Sequence, residues 1–399
     1  MKITAIEATE VTVPIEATLR FAYGVHLAVT RTIVQVHTDA GITGLGETAA
    51  TADQVRTLSA PLVGQHPFDL EVVRNIISNR FYWSRDPLTA AGIEMALIDI
   101  IGKAAGEPAY RVMGGAVRPH ASMAAYCFYR YDNGSGFASV TTPEEMADHA
   151  ADLVDTYGFR TVKLKGGVFD AEHEVRTMEA IRDRLGRDVR LRIDPQSAWT
   201  VETAIGYAPR LEAVGLEYYE DPVSGAPNMA TVRRRTNLAM ATNMCVTSFA
   251  ELGPAIATRA IDVVLTDPWY WGGPTQVRTL DTVARTMGIG LSMHSGIELG
   301  IGMAAMVHTA VTMPGLTAAI DAHYHHLTDD VIVGDLLKPK NGVLAPPEGP
   351  GWGVELDPDK FARYAELHAE GVYRNVYVEA NQNGPDPHRP GWHPIIPAW

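Results

Sequence analysis

The chain has 399 residues, of which 46% are hydrophobic and 20% charged, so it can build one large α/β domain and a smaller one, each with its own core. A formal net charge of -14 excludes a broad nucleic-acid or anionic-membrane partner, since both require a basic surface. Cys127 and Cys245 lie far apart with no metal-type spacing, which excludes a disulfide framework and a thiolate zinc site.

The N-terminus opens directly into alternating apolar residues, with no basic start, and no later apolar run reaches the length of a membrane span. A cytoplasmic protein with no membrane contact is expected. From Ile3 to Val13 and from Thr32 to Val36, β-branched residues alternate with polar ones, and Asp39 to Gly44 supplies turn chemistry before Leu45-Gly46-Glu47. This predicts a small antiparallel sheet. Between Thr51 and Gly115 the pattern is helical, most clearly over Ala90 to Ile100.

After Pro119, short apolar runs alternate with helical stretches at a period of about 25 residues, the size of one βα unit in a TIM barrel. The eight candidate strands are Ala121 to Cys127, Thr161 to Lys165, Val189 to Asp194, Leu216 to Glu220, Leu238 to Thr242, Val263 to Thr266, Ile289 to Met293 and Thr317 to Ile320. Candidate helices include Pro143 to Thr156, opened by Thr142-Pro143-Glu144-Glu145, then His173 to Leu185 and Val201 to Ala213. A last helix is expected from Pro358 to Glu370, followed by a tail without periodicity.

Active sites of such barrels sit at the C-terminal ends of the strands, so the residues that close the apolar runs carry the chemistry. Lys163 and Lys165 fall two apart in the second strand and share a face. Asp194 ends the third strand and Glu220 the fourth, while Asn243, Asp267 and His294 follow the next three. Each residue alone has an ordinary structural explanation. Their recurrence at one end of successive units does not.

Asp194, Glu220 and Asn243 offer three oxygen donors from neighbouring strands, which suits a hard divalent cation such as Mg2+ with positions left open. Two carboxylates balance the cation, so the loaded site would attract an anion, and a small-molecule carboxylate is the expected ligand. The metal would act as a Lewis acid on that carboxylate and stabilise the charge formed when the adjacent carbon loses its proton. Lys165 is the expected base, with its pKa lowered by the neighbouring ammonium of Lys163. Asp267 would orient His294 as the opposing acid or base. Two such groups permit racemisation or elimination of a β-hydroxyl, and the strand-end residues alone do not choose.

These residues make the chain resemble the enolase superfamily: Lys163-Leu164-Lys165 looks like its Lys-X-Lys strand motif. The resemblance implies a modified (β/α)7β barrel over residues 119–354, with an α+β capping domain formed by residues 1–118 and the returning segment 355–399. Within the mandelate racemase and muconate lactonizing enzyme group, Asn243 in Ala241-Thr242-Asn243-Met244 is similar to the third metal ligand of the glucarate dehydratase subgroup. Ile193-Asp194-Pro195, Tyr219-Glu220-Asp221-Pro222 and Asp267-Pro268 read in the subgroup's order.

That resemblance implies a Mg2+-dependent acid-sugar dehydratase acting on a diacid, assembled as a homo-oligomer. It also makes His26, Tyr129 and Arg374 candidate substrate contacts. One departure is Gly296, where the subgroup carries an Asn two residues past the His, so an amide contact is missing. The alternatives are a racemase or epimerase on the same two bases, and a non-catalytic relative. His323, His325 and His326 lack carboxylates at fixed spacing and are expected to be structural.

Overall fold

The computed structural model of this chain is described over residues 1–78, 86–373 and 395–399. Strands β1 (Ile3–Phe21), β2 (Gly24–Thr38) and β3 (Thr43–Thr48) form the predicted antiparallel sheet. β1 and β2 run well past the predicted limits; a register irregularity between Pro14 and Leu19 lets β1 continue through its proline. The extension has a consequence for the site, because it carries the β1–β2 hairpin at Phe21 to Gly24 over the barrel mouth.

Helices α1 (Ala52–Ser59), α2 (Leu70–Ser78) and α3 (Pro87–Ala105) cover this sheet, and α4 (Ala109–Val112) leads to the barrel. α3 starts at Asp86, whose side chain accepts from Thr89 N, and ends at left-handed Gly106. It packs on β3 with almost no gap. A Cβ at Gly44 would lie 2.0 Å from Ala96 O and one at Gly46 1.9 Å from Gly92 O, so only glycine permits that approach.

The barrel strands are β4 (Ala121–Phe128), joined to the short β5 (Arg130–Tyr131), then β6 (Thr161–Lys165), β7 (Arg190–Asp194), β8 (Leu216–Glu220), β9 (Met240–Thr242), β10 (Val263–Thr266), β11 (Gly290–Met293) and β12 (Ile320–Ala322). Apart from β5, which pairs with β1, they run parallel in the order β11-β10-β9-β8-β7-β6-β4-β12. A parallel bridge from Leu291 to Leu316 brings the two ends of the row together. Between the strands lie α5 (Pro143–Tyr157), α6 (Ala171–Leu185), α7 (Val201–Val214), α8 (Ala226–Arg235), α9 (Phe249–Ala257), α10 (Pro274–Met287) and α11 (Gly300–Val311). This is the modified (β/α)7β order: seven strand–helix units and a final strand.

Sequence signals account for the helix ends: Thr142 and Glu145 form a reciprocal capping box at the start of α5, and left-handed Gly158 closes it. The eighth strand is the main displacement. It lies at Ile320–Ala322 rather than Thr317 to Ile320, because Thr317 N and Ala318 N are taken by Leu291 O in the closing bridge. β13 (Val343–Leu344) pairs antiparallel with β4. The last helix, α12 (Pro358–Glu370), returns to the N-terminal sheet, where His368 Nδ1 lies 3.0 Å from Thr12 Oγ1 on β1. Among the described residues no helix is long and apolar enough to cross a membrane.

Candidate active site

A cavity of about 310 Å3 opens where the barrel strands end, beneath the β1–β2 hairpin. Lys165 reaches it from β6, Asn243 from the loop after β9 and His294 from the loop after β11. Phe21, Tyr23 and His26 close it from the hairpin. β6 and β11 stand three strands apart around the ring, so Lys165 and His294 approach from different sides.

Alternation along β6 turns both lysines into the barrel interior, where each finds carboxylates. Lys165 Nζ lies 2.6 Å from Asp194 Oδ2. Lys163 Nζ is wholly buried, 2.6 Å from Asp321 Oδ2 and 2.7 Å from Glu220 Oε1, with Asp194 Oδ2 at 3.8 Å. Burial alone would strip its proton, yet the charges of Asp321, Glu220 and Asp194 outweigh burial and raise its pKa above the usual lysine value. The expectation that Lys163 acts on Lys165 as a bare neighbouring charge is therefore corrected. The Asp194 carboxylate contacts both ammonium groups and offsets the field of one at the other.

Asp194 and Glu220 diverge. Burial raises Asp194, but the Lys165 and Lys163 charges outweigh it and hold the carboxyl below its usual range. Burial pushes Glu220 well up, reinforced by Asp194 and Asp321. Asn243 is placed by Asp221, which accepts from Asn243 N at 2.8 Å and from Met244 N at 3.1 Å.

The amide oxygen of Asn243 faces oxygen only, with Asp221 Oδ2 at 3.1 Å and Glu220 Oε1 at 3.2 Å. Acceptor against acceptor is unfavourable without a hydrogen or a cation between them. Turned over, the same amide donates to both carboxylates. Buried Glu220 Oε2 has Lys163 Nζ at 2.6 Å as its ion-pair partner. Among the described residues no three His, Cys, Asp or Glu side chains gather as a metal site. Asp194, Glu220 and Asn243 together offer two carboxylates and an amide oxygen, donor types that suit a hard divalent cation.

His294 Nδ1 lies 3.3 Å from Asp267 Oδ2. The other Asp267 oxygen accepts from Trp269 N and Tyr270 N, both at 2.7 Å, which fixes the carboxylate. Because a carboxylate only accepts, Nδ1 must carry the proton, and Nε2 is left for the cavity.

Of the three proposed substrate contacts, His26 lines the cavity, and burial with the charges of Arg31 and Lys165 pushes its pKa down to about 3. Tyr129 does not line it. Its hydroxyl donates to Thr177 on α6 at 2.8 Å and its ring packs against Phe169. The period of two explains this correction: Tyr126 faces inward over Lys163, so Tyr129, an odd number of residues on, faces the helices. Arg374 lies outside the described residues.

Three residues were missed. His323, read as structural, lines the cavity and bonds Ser295 Oγ through Nδ1 at 2.8 Å. Gln196, in a left-handed loop conformation after β7, lines it too and accepts from Ala22 N of the hairpin at 2.9 Å. Asp321 supplies a partner to Lys163 and meets Arg192 at 3.3 Å. His325 and His326 lie away from the cavity, and His326 bonds Glu16 and Tyr126 O.

Comparison with known proteins places this arrangement. The family described as enolase C-terminal domain-like matches residues 145–360, and the mandelate racemase/muconate lactonizing enzyme N-terminal domain matches residues 3–114. The chain belongs to the enolase superfamily. Within this superfamily it is 37% identical to a protein named "probable glucarate dehydratase" from Streptomyces coelicolor, covering 100% of this chain and 99% of that one. A Mycobacterium smegmatis enolase complexed with tartrate superposes with a TM-score of 0.93 at 36% identity, covering 100% of this chain and 98% of that one. A Thermobispora bispora enolase complexed with magnesium and formate gives 0.92 at 36% identity, with 100% of each chain covered. Relatives at 25–28% identity include a racemase and two kinds of cycloisomerase.

Proposed function

We propose that this chain is a Mg2+-dependent acid-sugar dehydratase of the glucarate dehydratase type, with Asp194, Glu220 and Asn243 as metal ligands. The observation that carries the proposal is the convergence of Lys165 and the Asp267–His294 pair on one cavity beside those oxygen donors. Mg2+ bound there supplies Lewis acidity to the substrate carboxylate and lowers the cost of removing its α-proton. Lys163, held charged by its carboxylates, adds a fixed positive charge behind the same group.

Lys165 Nζ or His294 Nε2 takes the α-proton, according to the configuration at that carbon. With the C–H pair left on carbon, the bond to the β-hydroxyl breaks. His294 Nε2, protonated by taking that α-proton itself or, where Lys165 takes it, by entering the reaction as the imidazolium, delivers a proton to the departing oxygen, and Asp267 holds the ring throughout. Water leaves, and the resulting enol becomes a keto acid. His26, Gln196 and His323 surround the substrate chain, and Arg374 is the proposed partner of a distal carboxylate.

A library of mono- and diacid sugars, incubated with enzyme and Mg2+ and assayed for keto acid, tests this reading. One or a few members should convert; no conversion of any member refutes it. Placement of two bases on different sides of the cavity also suits epimerisation. Deuterium incorporation from D2O without keto acid would establish that reading instead.

A further inference from the structure

Behind the cavity, two side chains of the N-terminal sheet grip both loops that carry the Asp267–His294 pair. Neither lines the cavity. Arg31, on β2 and 1% exposed, donates to the carbonyl of Gly296, two residues after His294. The same guanidinium stacks over the ring of Trp269, two residues after Asp267, at 4.8 Å from its centroid. Glu47, on β3, contributes its backbone carbonyl to Trp269 Nε1 at 3.0 Å. Its carboxylate accepts from Leu299 N and Gly302 N, each at 2.7 Å, at the start of α11.

The two loops also pack directly. A Cβ at Gly296 would come within 2.9 Å of the Trp269 ring, so glycine allows the ring to lie flat on the loop. The next residue, Ile297, is buried with φ +67, a left-handed backbone unusual for a β-branched side chain. Such a conformation persists only where its surroundings impose it. Here Glu298 takes Gly296 N at 2.9 Å and Ser295 Oγ at 2.5 Å, while Arg31 takes Gly296 O from the opposite side.

We infer that Arg31 is a positioning residue for His294: the capping sheet holds the imidazole against Asp267 through the Gly296 peptide and the Trp269 ring. Lys165, by contrast, is set by its place on β6 and by its ion pair with Asp194. The two proton-transfer groups are thus oriented by different parts of the molecule. A guanidinium is required, because its plane stacks on the indole while its edge donates to the carbonyl, which an ammonium cannot do at once. This inference rests on the proposed function only for its kinetic readout.

The test compares Arg31→Met and Arg31→Lys with the parent in two measurements. The first reads the ring nitrogen shifts of 15N-labelled His294, identified by their loss in His294→Asn. The parent should show the Nδ1-protonated tautomer, and Arg31→Met a mixture of both. The second follows α-proton exchange in D2O with epimeric acid sugars, assigned to each base by His294→Asn and Lys165→Ala. Arg31→Met should slow exchange through His294 at least about tenfold and leave exchange through Lys165 within about twofold, with Arg31→Lys little better than Met.

Equal loss on both epimers, or an unchanged tautomer, overturns the inference even if the variant melts earlier. Full activity of Arg31→Lys overturns the stacking requirement. If the parent exchanges no acid sugar, the proposed function fails, while the tautomer measurement still decides the role of Arg31.

Discussion

Asp321 Oδ2 lies 2.6 Å from Lys163 Nζ, although the two residues are 158 positions apart. The contact closes a buried ladder across the barrel. Arg192 meets Asp321 at 3.3 Å, takes Ala319 O at 2.9 Å and Glu217 at 2.6 Å, and stacks on Tyr218.

Asp321→Asn keeps the shape of the side chain and removes its charge. Breaking one partner of a buried ion pair costs about 3 kcal/mol, towards the low end of the usual range because Lys163 keeps Glu220. Denaturant unfolding of the variant should show that loss with an unchanged slope.

Gly296→Asn would supply the amide that the glucarate dehydratase pattern carries. Its Cβ, however, would meet Trp269 at 2.9 Å, and the ring has Arg31 on it. Overpacking of this kind costs about 1–3 kcal/mol, so the variant should be less stable and no more active. Calorimetric melting and the keto-acid assay read the two effects.

Buried histidines set the acid limit of the fold. Burial, with the charges of Arg130 and His326, pushes His149 down to about 3, below the ordinary 6.5. As pH falls from 6.5 towards 3 the unfolded chain takes up a proton that the folded chain refuses. Stability is therefore lost on acidification, by about 1.4 kcal/mol per pH unit for each such histidine. His149→Phe should flatten this slope by one proton, read from urea midpoints at several pH values.

Glu47 works in the other direction. Burial raises its pKa from 4.5 to about 8, so between those values the folded chain holds a proton that the unfolded chain releases. Its contribution is full below pH 4.5 and is lost as pH rises towards 8. Glu47→Gln, which removes the titrating group and keeps one of the two acceptor oxygens for α11, should lose less stability than the parent over that interval in the same urea series.

The barrel and its seven strand-end residues were legible because strand period and loop position are local properties. Thr161–Lys165 and Val263–Thr266 were read to their limits for that reason. What escaped depends on partners distant in sequence. Asp321 fell one residue past the expected last strand because the closing bridge of Leu316 shifts that strand, and His323 looked structural because its place in the cavity depends on that shift. Tyr129 was misplaced by one step of alternation. Asp321 had a signal all the same: an acid between Ile320 and Ala322 in an apolar run needs a cation inside the barrel.

The central claim is that Lys165 and His294 move the proton next to a carboxylate held at Asp194, Glu220 and Asn243. Deuterium incorporation at that carbon, followed by NMR in D2O with the best substrate, tests it most directly. Exchange should require Mg2+, vanish on chelation, and fall by at least about a hundredfold when Lys165→Ala and His294→Asn are combined. Exchange that survives chelation, or survives the double substitution, would contradict the account.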